Sequence, residues 1–455
     1  MFGATLSRWT LSYFAASLLF LLMGTGLMAW GFGYPFAEIR AAETLIVVHV
    51  VAIGWLVLLM CGALLQFVPV LITKPLRGSS AALPALLLLL AGLVGLLCGF
   101  AGLAGLVPAP LWLLPLSAFL LIAGFVIIAL MLGMTTWSAR PLALPARFVS
   151  IGLACLIGAA ALGGLFTLGF SGMAEEAAWL EIAASGVSVH AALGLGGWMS
   201  FTAMGVSYRL LTMFMLSPDT QKPTTHLVWW TGVAAFLLLV VALVFVAFGH
   251  GQMELWLLIA LLPGVASIGL YTHDVHRIYR QRKRKAIELN SKASIPAFAA
   301  LFLSLLLAIL MPWTGATDAM VSAFVYLVAF GWLTGLGLAQ LYKIVPFLTW
   351  LECYGPVMGR MQTPHVQDFV DEVRARRWFV VYYCGVTFAT LALLANYPAA
   401  FRLASAVNLV AIMALIVQFI RARRLMDVPD GARLPDAVSV PYLIYAATPA
   451  PRRSK

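Results

Sequence analysis

Of 455 residues, 63% are hydrophobic and only 10% are charged. So little charge cannot keep a soluble surface solvated, which excludes water-soluble enzymes and binding domains and leaves a polytopic membrane protein. The net charge of +11 invites a nucleic-acid partner, but its distribution along the chain gives it a topological explanation, and no nucleic acid is expected.

Apolar runs long enough for a hydrocarbon core of ~30 Å fall at about 10–32, 44–72, 81–107, 111–136, 148–172 and 183–216. Six more follow at about 227–249, 254–276, 294–313, 319–350, 377–396 and 401–420. The expected fold is therefore an all-α polytopic membrane protein with twelve transmembrane helices. The first run is span-length rather than a short signal core. Basic residues fall in every second loop: Lys74 and Arg77, Arg140 and Arg147, Lys222, the run from Arg277 to Lys285, then Arg360 and Arg374 to Arg377, then Arg421 to Arg424. The intervening loops are short or acidic, as at Glu175, Glu176, Glu254 and Asp318. The positive-inside rule then predicts cytoplasmic N- and C-termini in a bacterial-type inner (cytoplasmic) membrane. Thr363 to Arg377, with Val366, Phe369, Val370 and Val373 at helical spacing, predicts a short amphipathic helix on the cytoplasmic surface. The tail 426–455 is expected to be extended or loosely ordered. Five scattered Cys form no CxxC pair and read as small hydrophobes.

The second run, Thr44 to Ile72, holds His49, Gly54-Trp55, Gly62, Gln66 and Pro69. Parts of it return as Gly197-Trp198 with Gly205 and Arg209, and as Gly331-Trp332 with Ala339, Lys343 and Pro346. The Trp-to-Trp separations are 143 and 134 residues, which predicts three repeats of four helices at about 1–140, 141–285 and 286–425 within one domain, 1–425. The second, sixth and tenth spans should lie innermost, with their Trp side chains related by a pseudo-threefold axis. The Gly residues after each Trp allow close helix approach. Gln66, Arg209 and Lys343 either snorkel to headgroups or line a polar inner pathway.

Histidine carries the chemistry. His226, His273, His276 and His365 lie beside Lys and Arg near cytoplasmic ends, and the His273-Asp274-x-His276 cluster is too electropositive a place for a metal cation. His49, His190 and His250 fall in the periplasmic half. An imidazole inside hydrocarbon needs a ligand, a hydrogen-bond partner or water, and imidazole inside a bundle is the usual holder of haem iron or copper. His49 should point into the bundle, where Gly54 and Gly62 leave room for a macrocycle. His49 stands six residues before its Trp and His190 eight, ~200° apart around a helix, so the two are not equivalent positions. His250, at Gly249-His250-Gly251, reads first as a helix-end cap at the interface. No GxGxxG, Walker loop, nucleophile elbow, CxxCH or HExxH occurs.

Twelve spans centred on the second, sixth and tenth, with both ends inside, resemble the haem–copper oxidase subunit I superfamily, and within it the C-type cytochrome oxidases and the nitric oxide reductase large subunit. The resemblance implies that His49 is an axial ligand of a low-spin haem b and that His190 matches a ligand of the active-site copper or non-haem iron. It also implies a His-His pair on the seventh span, where only His250 stands. A His-x-His is implied on the tenth, where 321–331 offers only Tyr326, and a Tyr four residues after the sixth-span His, where Gly194 stands. The implied protein therefore lacks a complete binuclear centre. It would hold haem b or copper through His49 and His190, with Tyr326, His250 or Met204 as further candidates, and would serve respiratory or nitrogen-oxide metabolism. No catalytic residue is assigned, and oxygen reduction is not expected. Its partners would be the lipid bilayer and respiratory-complex subunits or a redox protein. The rival readings are a twelve-span permease, opposed by the scarcity of intramembrane acids, and a haem-free structural subunit.

Overall fold

The computed structural model describes residues 8–174, 176–218, 222–250, 252–359, 362–432 and 441–446. Its main helices are α1 (Thr10–Trp30), α2 (Ala42–Ile72), α3 (Ala82–Leu103), α4 (Leu113–Trp137), α5 (Leu144–Phe170) and α6 (187–215). Then come α7 (Pro223–Ala247), α8 (Met253–Arg280), α9 (Leu289–Thr314), α10 (Asp318–Cys353), α11 (Glu372–Leu394) and α12 (Pro398–Arg423). Among the described residues, eleven helices are long and apolar enough to cross a membrane. The exception is α6, a continuous helix whose apolar run is diluted by His190, four glycines from 194 to 205, Ser200, Thr202 and Ser207. A short helix, Ala177–Ser185, precedes it.

The sequence sets the boundaries by familiar devices. Proline sits in the first turn of α5, α7 and α12, where its missing N–H costs no hydrogen bond. Gly31 ends α1 in the left-handed region (φ 89°), its N–H returning to Met28. The Thr317 hydroxyl accepts from Met320 N–H to open α10.

The core lies where α2, α6 and α10 meet. Their apolar windows are 61% buried in α2 and 67% in α10, against 17% in α8, so α2 and α10 are enclosed by protein while α8 presents most of itself outward. Each of the three central helices leaves α-helical geometry in its middle and runs as a π-helix: Val50–Val57, Ala192–Phe201 and Leu327–Thr334. These three stretches touch one another pairwise. Each carries one fully buried Trp: Trp55, Trp198 and Trp332.

A directional set of hydrogen bonds joins them. The Trp55 indole donates to Thr334 Oγ1 at 2.7 Å, and the Trp332 indole donates to Ser200 Oγ at 3.2 Å. Thr334 and Ser200 each stand two residues after the Trp of their own helix. Each also donates to the carbonyl five residues back, Ala329 and Leu195, at 2.7 Å. The hydroxyl thus serves the π-turn of its own helix and the Trp of the next. The third position is Val57, which has no hydroxyl, and among the described residues Trp198 Nε1 has no partner.

Outer helices close on this centre through the predicted small residues. A Cβ added at Gly54 would lie 2.5 Å from Phe20, one at Gly62 would lie 2.6 Å from Tyr13 Cβ, and one at Gly205 would collide with Phe148. The room for a macrocycle that the sequence predicts beside Gly54 and Gly62 is therefore absent, because aromatic side chains of α1 fill it.

The basic loops gather at one end. Arg77 N–H bonds to Thr135 Oγ1 at the end of α4, Arg284 N–H to the Met215 carbonyl at the end of α6, and Ala446 N–H to the Arg8 carbonyl. Two expectations are corrected there. The stretch 363–377 is not a separate surface helix. It is a 3-10 turn, Val366–Phe369, followed by the first turns of α11. Phe369 is fully buried against Tyr354, and Trp350 Nε1 holds the Pro364 carbonyl at 2.8 Å, so this stretch is tied to the end of α10. Nor is all of the tail loose. Residues 441–446 dock across the starts of α1 and the ends of α10 and α12, while Arg360, Glu175 and 433–440 lie outside the described residues.

Candidate functional site

His49 and His190 both sit at the edge of a π-helical stretch, at the end of the bundle away from the basic loops. His49 immediately precedes Val50, and His190 stands two residues before Ala192. Each Nδ1 lies against a carbonyl: His49 on Leu45 at 2.8 Å, in its own helix, and His190 on Ala159 of α5 at 2.9 Å. A carbonyl can only accept, so both rings carry the proton on Nδ1 and keep their lone pair on Nε2. Among the described residues no hydrogen bond occupies either Nε2. This is the geometry of histidine ligands, whose second nitrogen is held by a carbonyl that fixes tautomer and ring direction.

Phe166 and Phe170 stand one turn apart on α5, so both imidazole rings approach the same face of that helix, His190 directly and His49 through Phe100. They share an aromatic surround. His49 packs on Phe100 of α3 at 5.1 Å between centroids, Phe100 meets Phe170 at 6.4 Å, and Phe166 of α5 meets His190 at 5.6 Å. Gly163 makes the seat for His190, because a Cβ there would stand 3.1 Å from its Cε1. The pair thus lies where α2 and α3 meet α5 and α6. The offset of six against eight residues before the Trp is what lets two non-equivalent positions face the same place.

The other predicted candidates are not brought to this pair. Tyr326 stands six residues before Trp332, as His49 does before Trp55, but its hydroxyl accepts from Asn408 Nδ2 of α12 at 3.0 Å and its ring stacks on Phe330 at 4.7 Å. His250 is exposed at the end of α7, its ring edge-on to Phe245. Met204 is buried in the core, past the π-stretch of α6. Among the described residues no group of three or more His, Cys, Asp or Glu converges as a metal cluster.

The His273-Asp274-x-His276 motif is split. His273 and His276 face outward, while Asp274 is buried and receives Tyr208 Oη at 2.9 Å, Thr224 Oγ1 at 2.9 Å and Thr225 Oγ1 at 3.3 Å. This buried carboxylate stands inside α8, near the end that carries Arg277 and Arg280. The signal was present in the sequence, since two hydroxyl residues open α7 just where α8 ends. The repeat-related polar trio also separates: Arg209 is exposed, Gln66 is buried, and Lys343 pairs with Glu288 at 2.6 Å.

Between the Trp set and the basic end, α2, α6 and α10 enclose an apolar cavity of ≈ 100 Å³. Its polar edges are Ser207, which shares a 2.6 Å hydrogen bond with Tyr271, and Gln340, whose Nε2 donates to Ser294 at 3.1 Å.

No known family model matches the chain, and no curated protein matches it. The functional reading rests on the residues themselves.

Proposed function

We propose that the chain is a haem–copper-oxidase-like membrane protein that lacks a complete binuclear centre and holds haem b or copper at the His49–His190 pair. Its role would be electron transfer, or metal or haem handling, in respiratory or nitrogen-oxide metabolism. The observation that supports this is the pair itself: two imidazoles from α2 and α6, each with Nδ1 fixed on a carbonyl, share one aromatic surround. The bound group would supply one-electron redox chemistry. The chain's own part is to bind and to shield. The Leu45 and Ala159 carbonyls keep Nε2 available, and Phe100 and Phe166 exclude water. Because both donors are neutral imidazoles and, among the described residues, no carboxylate is bonded to either, the site favours a group of low net charge. Copper(I) suits it better than a bare divalent ion, and a haem fits less well, because Phe20 and Tyr13 fill the space beside Gly54 and Gly62 that its macrocycle would need.

Visible absorbance and metal analysis test the reading, on protein expressed with ample haem and copper. Haem b gives sharp bands on reduction, and copper gives about one equivalent without them. His49→Ala and His190→Ala should each abolish the bound group. A colourless, metal-free wild type would overturn the proposal, and a haem that survives both substitutions would place it elsewhere.

One observation favours a second reading. Asp274, a buried carboxylate held by three hydroxyls from α6 and α7, supplies the protonatable group that a permease would need. Under that reading, proteoliposomes show solute flux coupled to a pH gradient, and Asp274→Asn uncouples it.

A further inference from the structure

A groove of ≈ 400 Å³ runs between α9 and α11 on the outside of the bundle, starting at the basic end. Both helices begin at that end, at Leu289 and Glu372, so both turn the positive ends of their dipoles toward the groove mouth. Lys292 and Arg376 line the mouth, both exposed, and among the described residues neither makes an ion pair or a side-chain hydrogen bond. Nearby acids are already engaged or outweighed. Asp371 pairs with Arg374 at 3.2 Å, Glu288 pairs with Arg284 and Lys343, and exposed Glu372 faces a stretch that also carries Arg377.

The walls beyond the mouth are apolar. Ala293 and Pro296 are small enough to leave the channel open on the α9 side, and Phe379, Val380 and Phe388 bound it on α11. Its floor is pinned by the Tyr383 hydroxyl, which donates to the Ala293 carbonyl at 2.7 Å, so the two helices are linked without closing over the groove. From Arg376 to Phe388 the wall rises about 18 Å at ~1.5 Å per residue, which spans the ~15 Å of hydrocarbon in one leaflet.

We propose that this groove is a binding site for one anionic phospholipid, its phosphodiester held by Lys292 and Arg376 and one acyl chain lying along Ala293, Pro296, Phe379 and Phe388. Two unmatched cations select a net-negative headgroup over a zwitterionic one, and the leaflet-length apolar wall selects a lipid over a free phosphate.

Native mass spectrometry of the full chain, released from micelles doped with phosphatidylglycerol or phosphatidylcholine, tests this. The wild type should retain one phosphatidylglycerol in preference to phosphatidylcholine. The double variant K292Q/R376Q should lose that preference by roughly 30-fold, the equivalent of two headgroup contacts at ~1 kcal/mol each. Thr387→Trp, which fills the exposed groove wall and leaves both cations in place, should also expel the lipid, with thermal stability unchanged. Equal retention of the two lipids would mean annular lipid only and overturn the proposal. Retention that survives K292Q/R376Q would also overturn it. Displacement of the lipid by millimolar inorganic phosphate, with Thr387→Trp inert, would instead make the groove a simple anion site and refute the lipid assignment.

Discussion

Trp198 holds its indole N–H in the core without an acceptor, and the reason lies on another helix. Trp55 and Trp332 find hydroxyls at Thr334 and Ser200, and the corresponding place on α2 is Val57. Thr has nearly the shape of Val and the same preference for a fixed χ1. In Val57→Thr the new hydroxyl can donate to the Ala52 carbonyl, as its counterparts donate five residues back, and accept from Trp198. An orphaned buried N–H costs about 1–3 kcal/mol and a satisfied one returns about 1 kcal/mol. Val57→Thr should therefore raise the midpoint of thermal unfolding, where an ordinary buried Val→Thr lowers it. A control such as Val68→Thr, on the same helix but away from the Trp set, should be destabilising. Equal losses at both positions would show that Trp198 gains nothing from residue 57.

At the scale of elements, the repeated Gly-Trp pairs were legible because they leave a fixed spacing in the sequence, and the structure brings their three helices together. The change to π-helix was not legible from the glycines. Its signature is the hydroxyl two residues after Trp, and with Val57 breaking the pattern only two of three copies display it. The His pair was legible as two residues but not as one place, because the register shift of a π-helix alters which residues share a face. The split of the His273-Asp274-x-His276 motif follows from ordinary helix periodicity, which turns one neighbour inward and the other outward. A link between elements also carries a pH dependence. Glu288, ahead of α9, meets Lys343 of α10 at 2.6 Å and Arg284 of the preceding loop. Burial pushes its carboxyl up, but the Lys343 ammonium and the Arg284 guanidinium outweigh this and hold it below the ordinary value. A depressed carboxylate contributes stability above its unfolded pKa, about 4.3, and loses that contribution as pH falls through the lower folded value. The stability difference between wild type and Glu288→Gln should thus be full at pH 7 and shrink below about pH 4. A difference that stays constant down to acid pH would remove the ion pair from the account.

At the scale of the whole molecule, the start of α1 and the stretch 441–446 beyond α12 are fastened to each other. Arg423, 2% exposed at the end of α12, pairs with Glu352 of α10 at 2.6 Å and donates to the carbonyls of Tyr442 at 2.7 Å and Tyr445 at 3.2 Å. Arg8 lies over the rings of Trp9 and Tyr445, 5.0 and 5.3 Å from their centroids, and the Ser12 hydroxyl donates to the Ile444 carbonyl. Removing one partner of a buried ion pair costs about 3–5 kcal/mol. Arg423→Met should lower the thermal midpoint strongly, and a stop after residue 440 should lower it less, because truncation exposes the guanidinium to water without stranding Glu352. A truncation as damaging as Arg423→Met would mean that the strap, rather than the pair, carries the stability.

This fastening has a consequence for how the protein is made. Arg8 is made before the twelve helices α1 to α12, whereas 441–446 are made after all of them. α1 therefore waits for its clasp until the other eleven helices have been made. Until then α1 can be held against α2 by the seating of Phe20 and Tyr13 on Gly54 and Gly62, but the basic face stays open. Assembly of this bundle thus has a built-in late step, in which six residues shut its basic end.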